Sequence, residues 1–312
     1  MKNVKRALRY LVPYWKPTLG AMVGLLLVNL ANLVSPQLLR ILIDRGIAEL
    51  DMTAVWWVVA GLTGVALVRG VFNFFQRYWS EIASQGVAYD LRNVIFQKLQ
   101  NLSFSYHDQA QTGRLMTRMT SDVEMVRMFI GRGVVMLISA VLMILGTMGL
   151  MLSMNWKLAL VVFAVLPVIM ALFAVLIRKI MPASRRVQQK LGSLNSLLQE
   201  NLAGIQVVKA FTREDVQIAR YQDQNQELLQ ENIGLIKLTS SLFPLIFMVA
   251  NFATVGVVWA GGVMVMEETL SLGEVVAFIS YISYILQPVF MVGMIGGLLS
   301  RAEASGERIF EV

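Results

Sequence analysis

The chain has 312 residues, 56% of them hydrophobic and only 15% charged, with a mean hydropathy of +0.63 and a net charge of +7. A soluble domain of this length would carry about 25% charged residues, so composition points to a membrane protein. The positive charge is spread between apolar runs rather than gathered in a patch, which argues against a nucleic-acid partner.

In chain order, residues 1–18 carry five Lys or Arg and end near Tyr14 and Trp15, the pattern of a basic amphipathic helix lying in the membrane interface. Pro13 and Pro17 interrupt the first apolar stretch, so a cleavable signal peptide is not expected. Six stretches then reach the roughly 20 apolar residues that a bilayer core requires: about 19–43, 55–80, 133–152, 158–177, 238–266 and 275–300.

The connecting segments are lopsided. Segments 81–132 and 178–237 hold six and nine Lys or Arg, and the tail 301–312 holds two. Segments 44–54, 153–157 and 267–274 hold only Arg45 and Lys157. Basic residues stay on the cytoplasmic side, so both termini are expected there.

The long segments are rich in Leu, Gln, Arg, Glu and Ala, which favour helix. Val187, Leu191, Leu194, Leu198, Leu202, Ile205 and Val208 recur at three- and four-residue steps, the period of a packed helical stripe. At 1.5 Å per residue, a 25- to 30-residue extension carries a helix roughly 40 Å beyond the membrane, where it must turn back.

No Asp or Glu falls inside the six spans. Ion-coupled carriers usually place such residues there, so secondary transport is disfavoured. The chain contains no Gly-Lys pair and hence no G-x-x-x-x-G-K-[ST] phosphate loop. With no cysteine and a single histidine, His107, it has no thiol nucleophile and no catalytic or metal-ligating set. If the protein moves a substrate, the energy arrives from another domain.

The two long turns supply the next clue. The first reads "LSFSYHDQAQTGRLMTRMTSDVEMVRMFI", with Gly113 able to break one helix and start the next. The second reads "ENLAGIQVVKAFTRED", with Phe211 at the tip of a polar turn, where an aromatic makes sense as a knob for a socket on another protein.

These residues resemble the transmembrane domain of ATP-binding cassette (ABC) exporters. Tyr106, Gly113, Leu115, Arg118, Asp122 and Val126 match that family's first-turn pattern. Glu200, Gly204, Ile205, Lys209, Phe211 and Glu214 match the second. Tyr106 stands where Phe is commoner, and Arg114 where an acidic residue is frequent. "NWKLALVVFAVLPVIM" resembles the family's fourth span, and "SRAEASGERIFEV" resembles its linker toward a nucleotide-binding domain.

The resemblance implies an all-α membrane protein with six transmembrane helices, long cytoplasmic extensions and two coupling helices, forming a single domain over 1–312. It implies docking of ATPase domains by Asp108, Gln109, Thr112, Gly113 and Arg114, and by Lys209, Ala210, Phe211, Thr212 and Glu214. ATP and Mg would be bound by a nucleotide-binding domain absent from this chain, fused or separate, and a second transmembrane domain would complete a dimer.

Helical spacing nominates a substrate cavity of Arg69, Asn73, Met248, Asn251, Thr254, Ser280, Tyr281, Tyr284, Gln287 and Met291. A mostly apolar cavity suits lipids, amphipathic drugs or hydrophobic peptides. A bacterial-type plasma membrane is the expected location. An ion-coupled carrier and a non-transporting scaffold that recruits a cytoplasmic partner remain the alternatives.

Overall fold

A computed structural model describes residues 2–102 and 112–311. No strand occurs among them. Helix α1 (Lys2–Leu8) continues through a 3-10 segment, Arg9–Tyr14, into α2 (Trp15–Ile41) and a π-helical turn, Leu42–Ile47. Helix α3 (Met52–Gln100) is unbroken over 49 residues. Helices α4 (Thr112–Thr117), α5 (Val123–Met128) and α6 (Val134–Met154) are joined by π turns at Arg118–Asp122 and Phe129–Gly133. The rest is α7 (Trp156–Ala203), α8 (Ile205–Ala210), α9 (Glu214–Met266) and α10 (Leu272–Phe310). Six helical runs are long and apolar enough to cross a bilayer. Helices alone suit that solvent, because each satisfies its own backbone hydrogen bonds.

The chain divides into two compact units, Met1–Val162 with Ala253–Val312, and Phe163–Phe252. In the first, α2 lies against α3 through Gly20-x-x-x-Gly24. A Cβ at Gly20 would stand 2.5 Å from the Trp79 ring, and one at Gly24 would stand 3.0 Å from Gln76 Cβ. Small residues four apart let helix backbones approach closely where lipid supplies no hydrophobic drive. Some polar groups between the spans are matched: Ser139 donates to Asn29 Oδ1 at 3.1 Å, and Gln37 donates to the Tyr281 hydroxyl at 3.0 Å.

The end of this unit that carries both termini has a core of its own. Val87, Leu91, Ile95 and Leu99 form one stripe of α3, and Ala7, Val123, Val126, Ile130 and Ile309 close over it. Each such Leu or Ile contributes about 1.5–3 kcal/mol when fully buried. The π turn at 129–133 leaves a carbonyl out of the regular ladder, and the Ser80 hydroxyl donates to Gly131 O at 2.6 Å. Glu303 of α10 accepts from the Asn3 and Val4 N–H groups at 3.1 and 3.0 Å, satisfying two of the open donors of α1.

At the opposite end the connections are short. Asp51 caps α3 by accepting from Thr53 N–H at 2.8 Å, and Ser271 and Glu274 form a reciprocal capping box on α10. Asp44 ties the end of α2 to that box, accepting from the Ser271 hydroxyl at 2.6 Å and from Gly273 N–H at 2.8 Å. Arg40 reaches Glu274 at 2.9 Å.

The second unit is built from α7 beyond Val162, the turn helix α8 and α9 as far as Phe252, so it holds apolar stretches of both long helices as well as their polar arms. Arg186 pairs with Glu231 at 3.0 Å and Lys190 with Glu227 at 2.7 Å. Ala183, Leu194 and Leu197 are buried in it, whereas Leu198, Leu202 and Ile205 of the expected stripe are exposed.

A Cβ at Gly273 would stand 2.4 Å from Arg40 O, a backbone atom that cannot swing aside. Gly273→Ala should therefore cost about 1–3 kcal/mol, read as a lowered thermal midpoint of the purified chain in detergent. An unchanged midpoint would contradict the close approach of α2 and α10.

Candidate functional site

The second turn is short and held by its own bonds. Gly204 ends α7, and its carbonyl accepts from Val207 and Val208 N–H at 2.9 and 3.1 Å, which starts α8. Thr212 then takes a left-handed conformation, φ 49°, and reverses the chain into α9. Lys209 Nζ donates to Glu214 Oε1 at 2.9 Å across the turn. That bond, with help from the backbone, holds the Glu214 carboxyl below its ordinary range. Lys209, Ala210, Phe211, Thr212 and Glu214 thus sit together, with the Phe211 ring 73% exposed. Val207 and Val216, also exposed, flank it.

Of the first turn, Asp108 and Gln109 lie outside the described residues. Thr112 opens α4, followed by Gly113 and Arg114, both exposed. The hydroxyl of Thr117 donates back to Gly113 O at 2.9 Å. A turn further on lies the buried carboxylate of Asp122, 3% exposed, which accepts both prongs of the Arg308 guanidinium, Nε at 2.9 Å and Nη2 more closely. Arg308 also donates to Ser305 Oγ at 3.0 Å, and Arg118 lies 3.8 Å from Glu311. The first turn is therefore fastened to the last residues of α10. Nearby, Arg127 bridges Glu124 and Glu81. Its hydrogen bond holds the Glu124 carboxyl below the ordinary value of 4.5, against the opposing effect of burial.

The nominated cavity residues fall into several settings. Arg69 is exposed, and Asn73 Oδ1 accepts from Arg77 Nε at 2.8 Å. Ser280, Tyr284, Gln287 and Met291 recur along one side of α10 and are half-buried or exposed. Tyr281 turns the other way, fully buried beside Phe278 and Ile285, and donates to Leu33 O at 2.8 Å. Thr254 is half-buried in the first unit, while Met248 and Asn251, both exposed, belong to the second. Sequence reasoning missed the Asp122–Arg308 pair, whose members lie 186 positions apart, and the Arg40–Asp44–Ser271–Glu274 network. It also passed over Gly20-x-x-x-Gly24, a legible signal for the α2–α3 contact.

Six helical runs long and apolar enough to cross a bilayer, two of them continuing as polar helix into a short turn helix, fit the all-α transmembrane domain of an ABC exporter. The chain belongs to the ABC transporter transmembrane region family, whose pattern matches residues 18–289. It is similar to the uncharacterized ABC transporter ATP-binding protein YknU of Bacillus subtilis, with 34% identity over 100% of this chain and 53% of that protein. It is similar also to YfiB of the same organism, with 32% identity over 99% of this chain and 54% of that protein. ATP-dependent lipid A-core flippase 1 of Colwellia psychrerythraea is 24% identical over 100% of this chain and 52% of the relative. The chain spans about half the length of these curated relatives.

Arg308→Ala would strand the buried Asp122 carboxylate. The expected loss is about 1–3 kcal/mol, moderated by the half-exposed guanidinium side chain. Adding Asp122→Asn should recover part of that loss, because the stranded charge disappears. Unfolding of both single variants and the double variant checks this, and strictly additive losses would contradict the pairing.

Proposed function

We propose that this chain is the membrane-spanning half of an ATP-driven exporter. It forms the translocation pathway by alternating access and couples to ATPase domains through its two long turns. The observation that carries this reading is the exposed Phe211 on a turn closed by its own hydrogen bonds, at the tip of a helical hairpin whose polar arms continue past the apolar stretches. An aromatic left in water there gives up about 1.5–3 kcal/mol that a partner groove would recover.

The relatives' names support an ATPase domain as that partner, since they are described as ATP-binding proteins or ATP-dependent flippases. ATP and Mg would be held by that nucleotide-binding domain. No loop of this chain has the Gly-Lys pair that a G-x-x-x-x-G-K-[ST] site needs. Gly113 and Arg114, with Asp108, Gln109 and Thr112, would form the first docking contact. Lys209, Ala210, Phe211, Thr212 and Glu214 would form the second, on the ATPase domain of the partner protomer. The termini and both turns then face the cytoplasm, in keeping with the Lys and Arg distribution.

A second transmembrane domain, identical or related, would enclose the pathway. The exposed Leu198, Leu202, Ile233 and Ile236 on the hairpin support a protein cover there, because these residues lie beyond the apolar spans. Arg69, Asn73, Ser280, Tyr284, Gln287 and Met291 stand where they could meet a hydrophobic or amphipathic substrate, and lipid is one such class. For Tyr281, Thr254, Met248 and Asn251 a lining role is also proposed, with Tyr281 needing a rearrangement that frees its ring.

Phe211→Ala should lower substrate transport about 10- to 100-fold while the ATPase continues to hydrolyse ATP. Vesicles containing the chain together with its ATPase domain allow both rates to be read on one sample. Wild-type transport in the variant would remove the docking role.

A further inference from the structure

Two charged residues at the short-connection end of the first unit stand where helix electrostatics disfavour them. Lys157 is the second residue of α7, and Glu267 follows the last residue of α9. A cation at a helix N-terminus and an anion at a C-terminus each oppose the macrodipole. Neither is compensated by a partner, since Lys157 and Glu267 make no side-chain hydrogen bond or ion pair with any described residue. Yet both line one cavity of about 290 Å³, between the α6–α7 connection and the end of α9. Local rules broken together at one place mark a functional site.

The other polar groups of the cavity offer both senses of hydrogen bond. Ser153 Oγ already donates to Leu150 O at 2.8 Å, and Thr269 Oγ1 to Met264 O at 3.0 Å. Toward a ligand these hydroxyls present only lone pairs, as does the Glu267 carboxylate. Asn155 is the reverse: its Oδ1 accepts from Leu158 N–H at 3.1 Å. Its amide N–H donors, like the Lys157 ammonium, have no acceptor among the described residues.

A ligand of one charge would satisfy either Lys157 or Glu267 and be repelled by the other. A zwitterion answers both. The volume sits near the lower end of small-molecule sites, about 300 Å³, which suits a headgroup-sized ligand. The cavity also lies where the apolar stretches 133–152, 158–177 and 238–266 meet their polar connections, with Leu152 and Trp156 exposed beside it. That is the headgroup level of a bilayer, where tryptophan is enriched.

We propose that this cavity holds the headgroup of a zwitterionic phospholipid that carries a primary ammonium. Its phosphate is bound by Lys157 and Asn155, its ammonium by Glu267, Ser153 and Thr269, and its acyl chains stay in the adjacent bilayer. A quaternary ammonium has no N–H for those three acceptors, so phosphoethanolamine is preferred over phosphocholine. The lipid is resident rather than cargo and links the α6–α7 connection to the end of α9. The assignment stands independently of the transport reading above.

The full 312-residue chain in maltoside micelles is titrated with lysophosphatidylethanolamine, with lysophosphatidylcholine of the same chain length, and with free phosphoethanolamine, bound lipid being counted by native mass spectrometry. The wild type should bind the ethanolamine lipid about tenfold more tightly than the choline lipid. Glu267→Gln should abolish that preference, and Lys157→Gln should weaken both lipids about tenfold. Glu268→Gln removes the neighbouring charge, which lines a different cavity, and should leave binding as in the wild type. Equal affinity of the wild type for the two lipids would overturn the proposal, as would a preference retained in Glu267→Gln. Loss of the preference in Glu268→Gln as well would show a general surface-charge effect and overturn it too. Displacement of the bound lipid by free phosphoethanolamine at equal concentration would identify a free-zwitterion site and overturn the lipid assignment. If Lys157→Gln fails to fold, Glu267→Gln against Glu268→Gln decides the matter, because only the first must lose the preference.

Discussion

The Asp122 carboxylate is 3% exposed, and a charge so enclosed is tolerated only when it is paired and fully hydrogen-bonded. Its partner, Arg308, comes from the far end of the chain. The long-loop end of the first unit is assembled around that requirement. Asp122 can be buried only if the tail of α10 lies across the π turn that follows the first long turn. Once it does, Ile309 completes the apolar cluster over Leu91 and Ile95, and Glu303 is in place to cap α1. Hydrophobic burial supplies most of the stability there, while the ion pair supplies register, since a guanidinium fork accepts a carboxylate in few geometries.

This arrangement gives the proposed coupling a physical route. A push on the first turn would be felt at once by the last residues of α10, because Asp122 stands only ten positions after Thr112. At the other end of the same helix, Gly273 and Ser271 are bonded to Asp44 in the π turn that follows α2. One helix therefore carries a fastening at each end, to two different partners. The second turn has a separate construction. It is a hairpin stiffened by the Arg186–Glu231 and Lys190–Glu227 pairs and by packing of Leu194 and Leu197, with its docking residues gathered at one tip. Exposed ion pairs contribute little stability, about 0–1 kcal/mol each, so the hairpin owes its stiffness chiefly to helix length and buried contacts.

Much of this architecture was legible in the sequence, for a simple reason. A bilayer demands about 20 apolar residues per crossing, a signal that survives any tertiary context, and each of the six expected stretches falls within a helix. The polar helical segments were legible from composition and from three- and four-residue periodicity. Periodicity was less able to say which stripe is covered. Leu194 is buried, but Leu198 and Leu202 face outward, and Ala183 and Leu197 complete the covered edge instead. The same ambiguity placed Tyr281 with Ser280 and Tyr284, although 100° of helix rotation turns its ring into the α2 contact. The ion pairs had no sequence signal at all, since nothing local links Asp122 to Arg308 or Asp44 to Ser271. The π turns were equally silent, since hydrophobic periodicity carries no signal for a one-residue widening of a helical turn.

The central claim is that the first long turn and the end of α10 move as one body. Spin labels at the exposed positions Thr117 on α4, in the first long turn, and Glu307 on α10 would report it, measured in the chain assembled with its ATPase domain, with and without a non-hydrolysable ATP analogue. A narrow distance distribution that stays the same in both conditions is the expected result. A distribution that shifts or splits when nucleotide is added would show that the tail leaves the bundle, and would contradict the account.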